Sequence, residues 1–555
     1  MKGGFILFNL SERVKEIAID LVSVLSVVGT KGEVEMAEKV YSVMEKIPYF
    51  KENKEKLYFL DCEGDHLGRK VVVAEVNGKK ADSKDTVVMI GHFDTVGVSD
   101  YGDFRDYATK PLELPEKLKA LKLSEDVRKD LESGDYLFGR GLYDMKSGVA
   151  AIIAIIEHIT KDIDNFEGNI IFGAVCDEEG NSTGMLNLVP YLNKLKEKKG
   201  YNYLAMLDPD YSAPQYPGDP TKYVYIGSVG KIMPSFYIVG KETHVGEPFS
   251  GIDPNQISSE ILGRINLNPE FSDEAEGEYT LPPLSLKQRD LKPEYSVQTA
   301  NKSILFFNYA THKKEPNEIM EDMVKVANEC FEKVVNVTDE RYKKYAEMSN
   351  KEYKKLPWKA RTMSFGDFCE VVKKEVGDKF DTLVKDFSEK ISKDNNFDMQ
   401  EKAMKIVEYV HGLWSDKDPI IIVFYSPPYY PHCYVGEELE RDKRLNNAVR
   451  RSVKAVEEKF DVEIVEKKFL PCISDLSYAT APTDKDAIAG LLDNVPGYGD
   501  IYSIPIEEMQ KLDLPVADIG TYGKDAHQFT ERINVFDTFN LTPELLYRTL
   551  IDLLS

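Results

Sequence analysis

Five short segments of this chain carry residues able to hold a cation or move a proton. G-H-F-D-T-V contains His92 and Asp94, and G-R-G-L-Y-D-M-K-S-G contains Asp144. C-D-E-E-G contains Asp177, Glu178 and Glu179, Y-L-A-M-L-D-P reaches Asp208, and G-K-D-A-H-Q-F-T-E-R contains His527. Neighbouring carboxylates repel one another unless a cation or water lies among them, so D-E-E-G is either a site or a solvated turn. The i, i+2 spacing of His92 and Asp94 puts both on one side of extended chain, where a carboxylate can orient an imidazole. Two histidines with several carboxylates form a mixed nitrogen and oxygen set suited to zinc or a similar divalent ion. Singly, each segment has an ordinary reading: a polar loop for H-x-D, a helix cap for Asp144, a solvated turn for D-E-E-G. Their shared position favours a site, because each sits where a strand should end.

Those strands are short apolar, β-branched runs of the kind that is buried on both faces. T-V-V-M-I (86–90) precedes His92, N-I-I-F-G-A-V (169–175) precedes Asp177, and Y-L-A-M-L (203–207) precedes Asp208. Helical patterns at 146–159 and 185–195 alternate with them. The expected fold is therefore α/β, a mostly parallel sheet flanked by helices, with functional side chains gathered past the carboxyl ends of its strands.

From about Lys231 the texture changes to a β-α-β-α block, which reads as an inserted α+β domain over 231–362. The catalytic domain is expected over 1–230 and again over 363–555, where P-I-I-I-V-F-Y (419–425) restores the buried-strand texture. Residues 338–417 read as a long, charged, helical region, and 112–133 as a charged helical insert able to wall a pocket.

A net charge of −24 over 555 residues argues against a nucleic-acid partner, which needs an excess of clustered Lys and Arg. Six scattered cysteines without a C-x-x-C pair fit a reducing cytoplasm. The amino-terminal apolar stretch is too short for a signal sequence, and no apolar run is long enough for a membrane span.

Taken together with K-E-T-H-V-G-E-P-F-S-G, these motifs resemble the co-catalytic zinc peptidases and deacylases, the carboxypeptidase G, aminoacylase and succinyl-diaminopimelate desuccinylase type, in that family's order over almost the whole chain. P-L-S-L-K-Q-R-D-L-K-P-E-Y-S-V-Q-T-A and F-Y-S-P-P-Y-Y-P look like its arginine-utilisation (RocB-like) branch. The resemblance implies two divalent metal ions, zinc first, with cobalt or manganese as alternatives. Asp144 would bridge them, His92 and Asp208 would complete one, and Glu179 and His527 the other. Glu178 would be the general base, Asp94 would hold the His92 ring, and His244 on the inserted lid would stabilise the oxyanion. The implied reaction is hydrolysis of an amide bond in a small peptide or N-acyl amino acid, in a chain that can form a homodimer.

The alternatives are a broad-specificity exopeptidase and a non-catalytic metal- or ligand-binding relative. Glu178 counts against the latter, since a protein without turnover has no chemical need of a base. The chain departs from relatives that bind a substrate carboxylate through a lid Asn and Arg: Y-S-V-Q-T-A and F-F-N-Y-A-T lack both in register, leaving Arg289 or Asn308 as substitutes.

Overall fold

The computed structural model describes residues 10–555 except 213 and 217, so most of the apolar amino-terminal stretch lies outside the described residues. The chain divides into two units. One comprises residues 1–229, 432–481 and 505–555, the other 230–431 and 482–504.

The first unit is built on an eight-stranded mixed sheet. Its centre is parallel: Asn169–Val175, Asp85–His92, Asn202–Asp208 and Val516–Asp518 lie side by side in that order. Every residue of Asn169–Val175 is buried, as the unbroken apolar run requires of a strand covered on both faces. Leu57–Asp61 and Lys70–Asn77 extend one edge antiparallel, and Lys222–Tyr225 and Ile464–Lys467 complete the other. The register pairs His92 with Val175, which brings the D-E-E-G turn beside the end of the His92 strand.

Helix Ser147–Thr160 is buried along most of its length, from Ser147 through Ile156. Its Gly148 lies where an added Cβ would fall 2.1 Å from the Pro209 carbonyl oxygen, and at Gly520 a Cβ would fall 1.6 Å from the Asp210 carbonyl oxygen. Two glycines thus let backbone close tightly on the D-P-D segment from both sides.

The second unit has its own sheet, in which Pro234–Val239 lies between Lys302–Thr311 and Ile420–Tyr425. This corrects the expected boundary at 362 and the return of 419–425 to the first sheet. Ile420–Tyr425 pairs with Pro234–Val239, and helices Phe365–Val376, Phe380–Ser392 and Met399–Leu413 share its core through Phe368, Phe380, Ile391, Val407 and Val410. An apolar six-residue run buried on both faces reads alike in either sheet, so composition could not assign it. The expected helical region 338–417 is resolved into these three helices and the end of a long one, Pro316–Met348, with irregular chain between.

Candidate metal centre

The expected residues His92, Asp144, Glu179 and His527 converge in the first unit. His92 closes its strand and is buried; its Nε2 lies 2.9 Å from Asp144 Oδ1. His527 Nε2 lies 2.9 Å from the other oxygen, Asp144 Oδ2. The same His527 nitrogen is 2.9 Å from Glu179 Oε1, yet that oxygen takes no aligned hydrogen bond. One imidazole proton cannot point at both carboxylates, whereas a cation shared by a nitrogen and two oxygens can satisfy all three.

Asp144 sits in the turn Leu142–Lys146 with extended backbone, after a cis Asp144–Met145 peptide is counted on its carboxyl side, and it does not cap the following helix. Its loop is held by the buried Glu531 carboxylate, which accepts the Gly141 and Tyr143 amides at 2.8 and 3.2 Å and the Arg140 guanidinium at 2.7 Å. Glu178 and Glu179 stand in a turn closed by Gly180 and Asn181 amides on the Asp177 carbonyl. Asp177 has a left-handed φ of 68°, and its carboxylate meets Arg69 at 2.6 Å. Arg69 also pairs with Asp65 and Glu33, so a buried ion network fixes the base of the turn. The turn still divides the glutamates: Glu178 Oε2 comes to 3.9 Å from His92 Nε2, and Glu179 faces His527.

The Asp94 carboxylate makes hydrogen bonds other than the expected one to the His92 ring. The His92 Nδ1 contact at hydrogen-bond distance is the Asp94 backbone carbonyl, 3.2 Å away, while the carboxylate stands 3.7 Å off. That carboxylate accepts the amides of Glu178 and Glu179 at 3.2 and 3.1 Å.

Asp208 differs from its expectation. Among the described residues, two sets of ligand atoms each lie within 4.8 Å of one another, His92 with Asp144 and Asp210, and Asp144 with Glu179 and His527; Asp208 belongs to neither. Instead it accepts the Ser474 hydroxyl at 3.2 Å. The signal for Asp210 is present in L-D-P-D, since a residue two places on shares a strand's face with the first acid after the apolar run. Asp475 and Asp518, both buried close to this group, were also missed; they come from segments with no motif of their own.

The electrostatics fit a cation. Burial, opposed by His92 and reinforced by Asp475 and Glu179, pushes the Glu178 carboxyl well above its ordinary range. Burial and then the Asp144 charge raise Asp210 to about 8. Burial disfavours ionised Asp144, but hydrogen bonds from His527 and His92 outweigh it and hold its pKa below the usual range. The Asp144 carboxylate, accepting from the ring, and the nearby Glu179 carboxylate favour the imidazolium and raise His527 to about 10. So many buried acids confined together would stay partly protonated on their own, and bound divalent ions would remove that penalty.

His244 lies in the second unit, exposed, with Nδ1 accepting the Gly246 amide at 3.0 Å. Arg289, also in that unit, pairs with Glu401 at 2.8 Å.

A parallel-centred α/β sheet with ligand-type residues beyond its strand ends defines a metallohydrolase-like architecture. The model of peptidase family M20/M25/M40 matches residues 114–535, and the chain belongs to that family. It is 34% identical over 547 residues to protein RocB of Bacillus subtilis (strain 168), covering 99% of this chain and 96% of that protein. Among solved structures it is similar to a tripeptidase from Staphylococcus aureus subsp. aureus Mu50, with TM-score 0.53 and 13% identity over 98% of this chain and 99% of that one. It is also similar to aminopeptidase PepT from Bacillus cereus ATCC 10987, with TM-score 0.52 and 14% identity over 99% and 100% of the two chains. At such identities these structures speak for the fold alone. The protein is a hydrolase of amide bonds, as its family is. Among the described residues no helix is long and apolar enough to cross a membrane.

Proposed function

We propose that this chain hydrolyses an amide bond in a small peptide or an N-acyl amino acid, using two divalent ions, zinc in the first instance. The observation that carries this reading is Asp144, whose carboxylate gives one oxygen to His92 and the other to His527. His92, Asp144 and Asp210 would hold one ion, and Asp144, Glu179 and His527 the other. When bound, the pair would acidify a water and polarise the scissile carbonyl.

Glu178 is the base. It is raised in pKa by burial, stands 3.9 Å from His92 outside both ligand groups, and would take the water's proton and deliver it to the leaving nitrogen. Asp94 keeps Glu178 and Glu179 apart by holding both their amides on one carboxylate. His244 keeps the oxyanion role that the resemblance implies, and His244→Ala should lower turnover more than substrate affinity. Six free thiols support a cytoplasmic setting, and the branch resemblance supports an arginine-related amino acid as substrate.

The test is a hydrolysis screen of zinc-, cobalt- and manganese-loaded protein against acyl-amino acids and dipeptides, arginine derivatives included. Release of an amino acid that chelation abolishes would support the reading. Equal turnover in chelated protein would refute it.

A further inference from the structure

His527 stands in the loop of a hairpin between strands Thr521–Lys524 and Arg532–Asn534, in which Lys524 pairs with Arg532. Asp525 and His527 both have left-handed φ values, 60° and 66°, which a loop keeps only where its neighbours hold it. Those neighbours are the charged insert of the sequence reading. Its helix Glu125–Ser133 is capped by the Ser124 side chain and turns Asp126 and Asp130 toward the hairpin.

Asp130 takes Arg532 Nε at 2.7 Å and Lys524 Nζ at 2.8 Å, and Asp126 takes the same two residues at 2.8 and 3.1 Å. Arg532 is buried, and its remaining nitrogen pairs with Asp525 at the start of the loop. A second, apolar tie is independent of these charges. Residues Tyr101, Leu114, Leu118, Val127 and Phe138 form a cluster that receives Phe529, two residues past His527, with Tyr101 edge-on to its ring at 6.5 Å. Strand Tyr136–Phe138 then pairs directly with Arg532–Asn534.

We infer that the segment 99–138 is a clamp that positions His527, so that Asp130, Asp126 and Phe529 set the affinity of the ion held by His527 and Glu179 while leaving the one held by His92 and Asp210 alone. The inference rests on the proposed two-ion reading and adds a cause for unequal affinity within it. His92 closes a central strand, whereas the backbone of His527 is carried by the hairpin loop. Asp130 and Arg532 are positioning residues here. They reach the centre through the loop, as hydrogen-bonded partners of metal ligands do.

The experiment is a cobalt titration of the full chain stripped of metal, followed by visible absorption and by equilibrium dialysis. Wild type, Asp130→Asn, Asp130→Glu and Phe529→Leu are compared, and the melting of each metal-free variant is recorded. For Asp130→Asn one of the two binding steps should lose about 10- to 100-fold in affinity, with the other unchanged and Asp130→Glu recovering part of the loss. Phe529→Leu should weaken the same step, and it carries the test if Asp130→Asn does not fold. Equal weakening of both steps, or of neither, in a folded variant would overturn the clamp and leave the two-ion reading standing. A wild-type chain that takes up no cobalt pair would overturn the proposed function, and the clamp with it.

Discussion

Two buried histidines, one in each unit, show how little burial says by itself about chemistry. His92 ends a strand among Asp144, Glu178 and Asp94; burial opposes its charge, but its hydrogen bond to Asp144 and the charges of these acids raise its pKa well above the ordinary value. His411 lies in the second unit between Tyr237 and Phe368, with ring centroids 5.9 and 6.3 Å away. There burial, helped by the charges of Lys417 and Lys302, lowers its pKa to about 4. The first is a ligand environment and the second an apolar packing site, although the two are almost equally hidden from solvent. What separates them is the company of carboxylates.

The comparison can be broken most severely at Asp144. Asp144→Ala should abolish both ion binding and measurable turnover, read by metal analysis of the purified protein and by the hydrolysis assay. Retention of two ions would end the bridging assignment. Glu178→Gln comes next: turnover should fall by about 10²- to 10⁴-fold, the usual worth of a general base, with metal content kept. Undiminished activity would remove Glu178 from the reaction.

Metal removal should destabilise the first unit, because ions that bind only the folded chain stabilise it by about 2.7 kcal/mol at one hundred times their Kd. Calorimetry with and without chelator reads this directly, and an unchanged melting temperature would contradict the linkage. Around His411 the lever is pH rather than metal, and the change is of similar size. The unfolded ring titrates near 6.5 and the folded one at about 4, so the folded state favours the neutral form. Its contribution is complete above pH 6.5 and is lost as pH falls from there toward 4, by at most about 3 kcal/mol. His411→Phe should flatten the melting temperature across that window, whereas an identical pH profile would show that His411 does not carry it.

The sequence made much of the centre legible for a physical reason. His92, Asp144, Glu179 and His527 follow strands or glycine-marked turns, and a sheet aligns such ends whatever lies between them in the chain. Asp210 escaped because it lies two residues beyond Asp208, the acid that ends the strand, and only the distances to His92 and Asp144 separate the two. The unit boundary escaped because Ile420–Tyr425 has the composition of a central strand in either sheet. The clamp on His527 was invisible for another reason. Asp130 and Arg532 are 402 residues apart in sequence, and an acid on a charged helix ordinarily reads as a solvated face.

The most direct measurement is anomalous diffraction from crystals grown with zinc. Two peaks are predicted, one among His92, Asp144 and Asp210 and one among Asp144, Glu179 and His527, with Asp144 common to both. A single peak, or zinc bound away from Asp144, would contradict the account.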